Sequence, residues 1–376
     1  MKVAILTQPL GHNYGGIMQA YALQKVISQK GHQVTIANRQ KDKPSIFKRL
    51  AIASKLRLKK FIKKDSVKSF SEADKKTILS NMNDFICEYM NRSSPIYSSR
   101  KLIEHFNAQN YDILVVGSDQ VWRPSYSANI YNYFFDFKEK LNNKVPAITY
   151  AASLGVDNWE YNNHQTRKCS NYISNFSAVS VRESSAVELC NLKFNISPEL
   201  VLDPTLLLDS KEYLNLSASS NLEIENGLLF YILDENKNKL QLINKVASAL
   251  KLKPFSCQPK RDLENDKNLE ISEYCYPSPN DWIKSFAEAQ FVITDSYHGC
   301  IFSIIFKKPF FVIANKKRGN SRFLSLLRLL NLEDRLIYEG DIGYLTQEAY
   351  SIDWTRVNQK LETERNKSIE FINTWL

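Results

Sequence analysis

Residues 291–299 constrain the fold of this chain more than any other stretch. They run FVITDSYHG, which is three apolar residues, then polar residues, then a glycine. A mostly apolar run, 300–306, follows directly. This order predicts a buried parallel strand, a sharp turn and the start of a helix. Ligands bind at the carboxyl ends of strands in open α/β sheets. The turn residues that can bind a ligand or transfer a proton are Asp295, Ser296 and His298.

The same order recurs along the chain and predicts an α/β fold. Predicted strands include 2–6, 34–37, 113–116, 228–233 and 309–313, and predicted helices include 17–30, 164–176, 184–192, 237–250, 281–288, 323–330 and 355–376. The N-terminal and C-terminal halves both alternate strands with helices and both carry polar clusters at strand ends. We therefore expect two facing domains with a cleft between them. The predicted units are an N-terminal domain (1–208), a linker (209–226), a C-terminal domain (227–350) and a terminal segment (351–376) whose helix packs back on the first domain.

Length and composition suit a globular protein of two domains. The chain has 376 residues, 43% of them apolar, and no run of 18 apolar residues, so we expect a large core and no transmembrane helix. The first six residues have a strand pattern and lack the features of a signal peptide. The six cysteines show no CxxC pair and no metal-ligand spacing. These features predict a cytoplasmic protein with reduced thiols and no bound metal.

The net charge of +10 is concentrated near the N-terminus. Between Arg39 and Lys64 there are eleven Lys or Arg residues and one acid, Asp42. Within that stretch, 45–64 has the pattern of an amphipathic helix with an aromatic-bearing apolar side and a basic side. Such a helix can lie on an anionic membrane surface, or pack on its own domain with a solvated basic side. No nucleic-acid-binding motif accompanies the charge, so we expect no nucleic-acid partner.

Four strand-end motifs carry candidate chemistry, and each has a plainer alternative. The glycine turn 13–16 either lets a sugar hydroxyl or an anion approach the backbone or is a tight turn without a ligand. It lacks the GxGxxG pattern of dinucleotide-binding turns. Asp119 can act as a general base or bind sugar hydroxyls, or cap the next segment. Arg182 suits a carboxylate or phosphate, or a surface contact with its neighbour Glu183. The cationic cluster 315–322 suits a phosphate, or is a solvated loop.

Taken in order, these motifs resemble those of the polysaccharide pyruvyl transferase family, over about residues 3–335. The residues that carry the resemblance are Asn13-Tyr14-Gly15-Gly16 with Gln19 and Ala20, Gly117-Ser118-Asp119-Gln120-Val121-Trp122, Ser180-Val181-Arg182-Glu183, Leu202-Asp203-Pro204-Thr205, Thr294-Asp295-Ser296-Tyr297-His298-Gly299, and Arg318-Gly319 with Arg322-Phe323. The resemblance implies two Rossmann-like domains arranged as in GT-B glycosyltransferases. It also implies transfer of pyruvate from phosphoenolpyruvate to a sugar, usually as a cyclic ketal.

The resemblance also implies roles for individual residues. Asp119 matches the acidic residue near the acceptor hydroxyl, Arg182 the arginine that holds phosphoenolpyruvate, and His298 the histidine of an Arg-Leu-His-Gly-type turn. This chain has Ser296 where that turn has its arginine, and we hypothesise that Arg318 or Arg322 supplies the charge instead. We predict as catalytic Asp119 and His298; as donor-binding Arg182, Ser296, Tyr297, Gly299, Lys316, Arg318, Asn320 and Arg322; and as acceptor-binding Asn13, Tyr14, Gly15, Gln19, Ser118, Gln120 and Trp122.

The predicted acceptor is a galactose-like sugar with free 4- and 6-hydroxyls on a lipid-linked repeat unit. The predicted partners are therefore phosphoenolpyruvate, used as a co-substrate without any further cofactor, a lipid-linked oligosaccharide and the inner membrane face, held by the basic helix 45–64. One alternative is a GT-B glycosyltransferase that uses a nucleotide sugar, which the same fold allows. Another is a non-catalytic module that binds carbohydrate or lipid.

Overall fold

The computed structural model describes residues 1–42, 70–261, 270–315, 319–339 and 351–376. The predicted basic helix 45–64 and the predicted donor ligands Lys316 and Arg318 lie outside the described residues. No helix that the structure describes combines the length and apolar character needed to cross a bilayer.

The N-terminal half is built on a parallel sheet. Its strands are β1 (Lys2–Leu6), β2 (Gln33–Ile36), β3 (Ile113–Val116) and β4 (Ala147–Thr149), in the order β2-β1-β3-β4. Its helices are α1 (Tyr14–Gln29), α2 (Glu72–Ile78), α3 (Ser80–Tyr89), α4 (Ser99–Gln109), α5 (Asn163–Ile173) and α6 (Ser184–Phe194). Strand β3 reads ILVV and is buried throughout, as expected for a parallel strand covered on both faces.

A short strand pair extends this half beyond β4. Strands β5 (Ser180–Val181) and β6 (Glu199–Leu200) pair in parallel, and isolated bridges connect Ile148 with Ala178 and Ala152 with Val181. The segments after β4, β5 and β6 are thereby brought side by side, so the polar residues that follow them converge.

The C-terminal half is a five-stranded parallel sheet with the order β11-β10-β9-β7-β8. Its strands are β7 (Gly227–Tyr231), β8 (Lys253–Phe255), β9 (Phe291–Thr294), β10 (Phe310–Ile313) and β11 (Leu336–Ile337). Its helices are α8 (Lys237–Leu250), α9 (Pro279–Glu288), α10 (Tyr297–Ile305) and α11 (Ser321–Leu330), while α7 (Ser210–Ser217) precedes β7 and α12 (Trp354–Trp375) closes the chain. The strand, turn and helix predicted at 291–306 are therefore present as β9 and α10.

The segment predicted as a linker, 209–226, contains helix α7. Tyr213 is fully buried, donates a hydrogen bond to the Thr205 carbonyl at 2.9 Å and meets the Phe302 ring at 4.9 Å. The polar composition of this segment favoured an open connection, but Tyr213 and Leu216 give α7 an apolar face that packs against both halves.

Helix α12 also contacts the N-terminal half. The Leu202 backbone N–H donates to Ser368 Oγ at 2.9 Å, and Arg365 Nε donates to the Leu206 carbonyl at 2.8 Å. The Phe371 ring lies 6.2 Å from that of Tyr150. Helix α12 therefore supports the loop after β6, which carries part of the candidate site.

The two halves share a hydrophobic core. Buried residues from α1 and β1 belong to the same cluster as buried residues from α9, α10 and β10. At the centre of the contact, Tyr14 stacks on Trp282 with ring centroids 5.3 Å apart and donates its hydroxyl to the Pro277 carbonyl at 2.8 Å. Apolar packing of this kind fixes the relative position of the two strand-end clusters.

Candidate active site

The turn between β9 and α10 places His298 in the first helical turn. Ser296 is the N-cap of α10, and its side chain accepts a hydrogen bond from the Gly299 backbone N–H at 3.4 Å. A Cβ at Gly299 would lie 2.3 Å from Thr294 Oγ1, so only glycine fits this close approach of helix and strand. Ser296 and Gly299, both predicted as donor ligands, thus build the turn that presents His298.

Arg182 follows β5 and its side chain is fully buried. Nη1 donates to Asp203 Oδ2 at 2.6 Å, while Nη2 lies 3.7 Å from Asp119 Oδ1 and Nε lies 3.8 Å from Glu183 Oε2. Burial by itself lowers the pKa of Arg182, but the surrounding negative charge, led by that of Asp203, outweighs burial and raises it. The guanidinium therefore stays charged in a dry environment.

Asp203 lies beside Arg182 and is equally buried. It caps the short 3₁₀ helix Pro204–Leu207, and its Oδ1 accepts from the Thr205 hydroxyl at 2.7 Å and from the Thr205 backbone N–H at 3.1 Å. Burial tends to raise the pKa of Asp203, but contact with His298 and the charge of Arg182 lower it well below the ordinary range. Asp203 is therefore an ionised carboxylate.

His298 meets this carboxylate from the other half of the chain. Its Nε2 lies 3.5 Å from Asp203 Oδ2, and its side chain is 7% exposed. On the opposite side the ring packs against α1, where a Cβ at Gly15 would lie 2.1 Å from Nδ1. Gly15, predicted as an acceptor ligand, is thus the residue that leaves room for the imidazole.

A second buried guanidinium comes from α11. Arg322 Cζ lies 5.4 Å from the Tyr297 ring centroid, and Arg182 Cζ lies 4.7 Å from the same centroid. Burial, and then the positive charge of Arg182, lower the pKa of Arg322. The buried ring of Tyr297, whose own pKa is raised by burial, holds both cations by cation–π contact. Two of the predicted donor ligands, Arg182 and Arg322, therefore lie at one site.

Asp119 reaches the same cluster from the carboxyl end of β3. Its backbone is left-handed, with φ of 75°, and its carbonyl accepts from the backbone N–H groups of Val121 at 2.7 Å and Ser153 at 3.1 Å. The left-handed region disfavours residues with a Cβ, although aspartate tolerates it better than most. This conformation places the carboxylate within 4 Å of Arg182.

Glu183 completes the set of buried charges. Its Oε1 accepts from the Ser153 hydroxyl and the Leu154 backbone N–H, both at 2.9 Å, and from the Gly155 backbone N–H at 3.3 Å. The sequence also allows a surface contact between Arg182 and Glu183, but Glu183 is 1% exposed. Its carboxylate instead fixes the loop after β4 from inside.

Hydrogen-bonding capacity remains unused where these charges meet. In the part of the chain that the structure describes, buried side-chain atoms without a hydrogen-bond partner include Arg182 Nε and Nη2, Glu183 Oε2 and His298 Nε2. Buried polar atoms are nearly always hydrogen-bonded in folded proteins. A concentration of unused donors and acceptors between two sheets is typical of a site for a polar ligand.

Several predicted acceptor ligands support the fold around the site. Trp122 is fully buried, stacks on Phe134 at 5.1 Å and donates its indole N–H to the Tyr133 carbonyl at 3.0 Å. Tyr14 packs between the halves, and Gln19 is buried and donates to the Thr7 hydroxyl at 3.0 Å. Direct contact between a sugar and Trp122 is incompatible with this burial, because its polar atom and ring faces are already occupied.

The other predicted ligands lie nearer the surface or at the edge of the cluster. Ser118 Oγ donates to Asp203 Oδ2 at 3.4 Å, and the half-buried Gln120 accepts from Arg123 at 3.2 Å. Asn13 is exposed at the start of α1. Asn320 accepts from the Asn315 backbone N–H at 2.9 Å and precedes α11.

Asp295 has a structural role. Its carboxylate pairs with Lys239 Nζ at 2.7 Å and accepts from the Leu233 backbone N–H at 2.6 Å and the Asp234 backbone N–H at 3.1 Å. Both charged side chains are almost fully buried. The network ties the carboxyl ends of β7 and β9 together behind His298.

Asp203 is the central residue to which sequence analysis gave no role. Its motif, Leu202-Asp203-Pro204-Thr205, contributed to the resemblance, but an Asp-Pro-Thr stop after a strand signals only a cap. The signal that was available is the apolar pair Val201 and Leu202 just before Asp203, together with the cations that need a counter-charge. Among the described residues, no group of three or more His, Cys, Asp or Glu side chains is arranged to hold a metal ion.

The residues of this cluster lie within the part of the chain that matches a known protein family. The sequence model of the polysaccharide pyruvyl transferase family matches residues 13–317, which include Asp119, Arg182, Asp203 and His298. The chain belongs to the polysaccharide pyruvyl transferase family. As a member of that family it is a transferase of polysaccharide biosynthesis.

Solved structures show the fold of this pyruvyl transferase family member. An S. aureus MnaA–UDP co-structure has a TM-score of 0.51 and 11% sequence identity, over 96% of this chain and 90% of that chain. A UDP-GlcNAc 2-epimerase from Methanocaldococcus jannaschii has a TM-score of 0.51 and 11% identity, over 97% of this chain and 93% of that chain. The predicted α/β fold of two Rossmann-like domains in a GT-B-like arrangement is confirmed. A search of curated protein sequences found no match.

Proposed function

We propose that this transferase moves pyruvate from phosphoenolpyruvate onto two hydroxyls of one sugar residue, forming a cyclic ketal. The observation that carries the proposal is the buried cluster of two guanidinium groups, a histidine and an aspartate, with unused hydrogen-bonding atoms between the halves. Family membership supports pyruvyl transfer, and the cluster supports a small anionic donor.

Phosphoenolpyruvate carries a phosphate and a carboxylate on a three-carbon frame. Each anionic group suits an arginine, because a guanidinium binds planar or tetrahedral oxyanions through paired N–H groups. Arg182 and Arg322 contact the same tyrosine ring, so they offer two cations at short range. Arg322 thus supplies the positive charge that the family turn carries at the position of Ser296, and Lys316 and Arg318 remain candidate ligands from the neighbouring loop.

The chemistry requires two proton transfers in the first half of the reaction and one in the second. His298 delivers a proton to the donor methylene while Asp119 removes the proton of the first sugar hydroxyl, whose oxygen bonds to the donor's second carbon. The second hydroxyl then attacks the same carbon, the carbon–oxygen bond to phosphate breaks, and the second hydroxyl proton leaves with the phosphate. The products are the ketal and inorganic phosphate, and passage of the proton from Asp119 through solvent to His298 restores the enzyme.

The proposed acceptor is a galactose-like residue with free 4- and 6-hydroxyls on a lipid-linked repeat unit of a bacterial capsule or exopolysaccharide. Two hydroxyls on one ring satisfy the geometry of a ketal, and a cytoplasmic enzyme meets such units at the inner membrane face. The basic pattern of 45–64 supports a peripheral contact with anionic lipid. Co-sedimentation with anionic liposomes at low salt tests this contact. We expect the wild-type protein to co-sediment and a variant with the basic charges of 45–64 neutralised to stay in solution.

A nucleotide-sugar glycosyltransferase is the second candidate. It is favoured by Ser296 in place of the family arginine, and by two proteins of similar fold, an S. aureus MnaA–UDP complex and a UDP-GlcNAc 2-epimerase. The buried Lys239–Asp295 pair argues against it, because this pair and its hydrogen bonds fill the carboxyl ends of β7 and β9 with the protein's own groups.

Donor dependence separates the two candidates. The enzyme is incubated with a galactose-terminated lipid-linked oligosaccharide and either phosphoenolpyruvate or a nucleotide sugar, and the products are analysed by mass spectrometry. Pyruvyl transfer adds the mass of pyruvic acid less one water and releases one phosphate. An added hexose with release of nucleoside diphosphate would overturn the proposal. Asp119→Asn and His298→Ala are each expected to lower the rate of product formation by about 10²–10⁴-fold without unfolding the protein.

A further inference from the structure

Asp203 is shared by two groups of the candidate active site. Oδ2 of Asp203 accepts a hydrogen bond from Arg182 Nη1 at 2.6 Å and lies 3.5 Å from His298 Nε2. Oδ1 is held separately, by the hydroxyl and the backbone N–H of Thr205 at 2.7 Å and 3.1 Å. The carboxylate cannot rotate without losing bonds at both oxygens.

We propose that Asp203 is a positioning residue that orients His298 for proton transfer and Arg182 for donor binding at the same time. This inference rests on the proposed function, since it assigns Asp203 a part in the same reaction. Asp203 itself touches neither substrate, because its two oxygens accept hydrogen bonds from Thr205, Arg182 and Ser118.

The geometry assigns different tasks to the two nitrogens of His298. Nε2 faces Asp203, and Nδ1 faces the first turn of α1, where Gly15 leaves room. Because Nδ1 is covered by α1, the proton that goes to the donor methylene leaves from Nε2, which has no hydrogen-bond partner and is oriented by the nearby Asp203 carboxylate. A fixed carboxylate near one nitrogen selects the tautomer and the ring orientation.

The distance of 3.5 Å is longer than an ordinary hydrogen bond. Catalytic hydrogen bonds are often long before substrate binds and shorten in the complex. A donor anion that engages Arg182 draws charge away from the Arg182–Asp203 pair, which leaves Asp203 more available to His298. Donor binding and proton transfer are therefore coupled through one carboxylate.

The first test needs no substrate. The protein has five histidines, and ¹⁵N labelling of their rings allows long-range ¹H–¹⁵N spectra, with His298 assigned by comparison with His298→Ala. We expect wild-type Nε2 to be the protonated nitrogen, and Asp203→Asn to shift its resonance or to yield a mixture of tautomers. Unchanged His298 resonances in Asp203→Asn overturn the inference, whatever the donor is.

The second test measures whether Asp203 acts through His298. With phosphoenolpyruvate and the galactose-terminated oligosaccharide, Asp203→Asn is expected to lower kcat about a hundredfold. The Asp203→Asn/His298→Ala double variant is expected to have the kcat of His298→Ala, because both changes remove one function. Through Arg182, Asp203→Asn is expected to raise the KM for phosphoenolpyruvate as well. If the fold loss of kcat in the double variant equals the product of the two single-variant losses, the two residues act separately and the inference is refuted.

A milder variant covers the case in which Asp203→Asn does not fold. Thr205→Val releases Oδ1 and keeps the carboxylate charge, so we expect a smaller loss of kcat that again disappears in the His298→Ala background. The matched control is Thr149→Val, which removes a buried hydroxyl that donates to the Ser180 carbonyl and accepts from the Ser180 backbone N–H, both at 2.8 Å, and that makes no hydrogen bond to Asp203. It should lower stability and leave kcat unchanged; equal kcat losses for the two threonine variants reject a specific role for Asp203.

The two proposals fail in different ways. If wild-type enzyme makes no ketal from phosphoenolpyruvate, the proposed function is wrong, and the substrate-free spectra still decide whether Asp203 orients His298. If wild-type enzyme makes the ketal and the double variant shows multiplied losses, the proposed function stands and the Asp203 inference is wrong.

Discussion

A single methyl group at residue 15 is expected to disable the enzyme. A Cβ at Gly15 would lie 2.1 Å from His298 Nδ1, 2.4 Å from Cγ and 2.8 Å from Cβ. Ordinary van der Waals contact begins near 3.4 Å, so the ring must retreat by about 1.3 Å. A misplacement of about 1 Å at a reacting group can cost about a hundredfold in rate. We therefore expect Gly15→Ala to lower kcat by about two orders of magnitude.

The effect on folding should be small by comparison. Overpacking costs about 1–3 kcal/mol, and alanine in place of glycine in a helix returns up to about 1 kcal/mol. The adjacent Gly16→Ala is the matched control, since its Cβ would lie 3.1 Å from Nδ2 of the exposed Asn13 side chain, which can move. Its kcat should stay within about twofold of wild type, because the added methyl group meets only a side chain that can move and does not touch His298.

The assay is ketal formation on the galactose-terminated oligosaccharide, with kcat and KM measured for both variants and thermal melting as the check on folding. A crystal structure of Gly15→Ala should show the imidazole displaced from Asp203. If Gly15→Ala is folded and turns over within twofold of Gly16→Ala, the packing of α1 on His298 has no part in catalysis and the reasoning is refuted.

Three further outcomes follow from the buried charges. Lys239→Met leaves the Asp295 carboxylate buried without its partner at 2.7 Å, so we expect it to lower the free energy of unfolding in urea by about 3–5 kcal/mol. The control, Lys101→Met at an exposed lysine, should leave the urea midpoint unchanged. If the two variants have the same urea midpoint, the buried pair does not stabilise the fold. Tyr297→Leu removes the ring that contacts both arginines and should raise the KM for phosphoenolpyruvate about tenfold. Tyr297→Phe keeps the ring and should retain most of the affinity. If the two variants have the same KM, the ring does not contribute to donor binding. The pKa of Asp203 is lowered on folding, so its ionised form stabilises the protein above the ordinary aspartate pKa of about 3.9, and this contribution is lost as pH falls below that value. The stability gap between wild type and Asp203→Asn should therefore be largest near pH 7 and narrow below about pH 4, and a gap that does not change with pH would contradict this.

Local patterns were sufficient to predict most elements and part of the site. The apolar run ending in a polar turn at 291–299 predicted β9 and α10, because burial on both faces and a capping residue are local properties. The convergence of Asp119, Arg182 and His298 on one cluster could be expected from the rule that ligands bind at strand carboxyl ends. The resemblance to a family then supplied roles for these three residues.

Other features depend on contacts that no local pattern contains. Asp203 meets His298 only because α1, α10 and the loop after β6 pack together, which is a property of the tertiary fold. Trp122 follows a strand-end aspartate and was assigned to the acceptor, but its burial depends on Phe134 and Tyr133 later in the chain. Helix α7 was missed because its packing face, with Tyr213, is short and set in polar sequence.

The stacking of Tyr14 on Trp282 limits how halves of related enzymes can be joined into chimeras. Because the apolar cluster runs through both halves, each half expressed alone would expose aromatic surface to water. A chimera that joins the first half of this chain to the second half of a relative must therefore carry matching residues at 14 and 282, and at the glycine that admits the imidazole. New sugar specificities are more accessible through exchange of individual loops at the strand ends than through exchange of whole lobes.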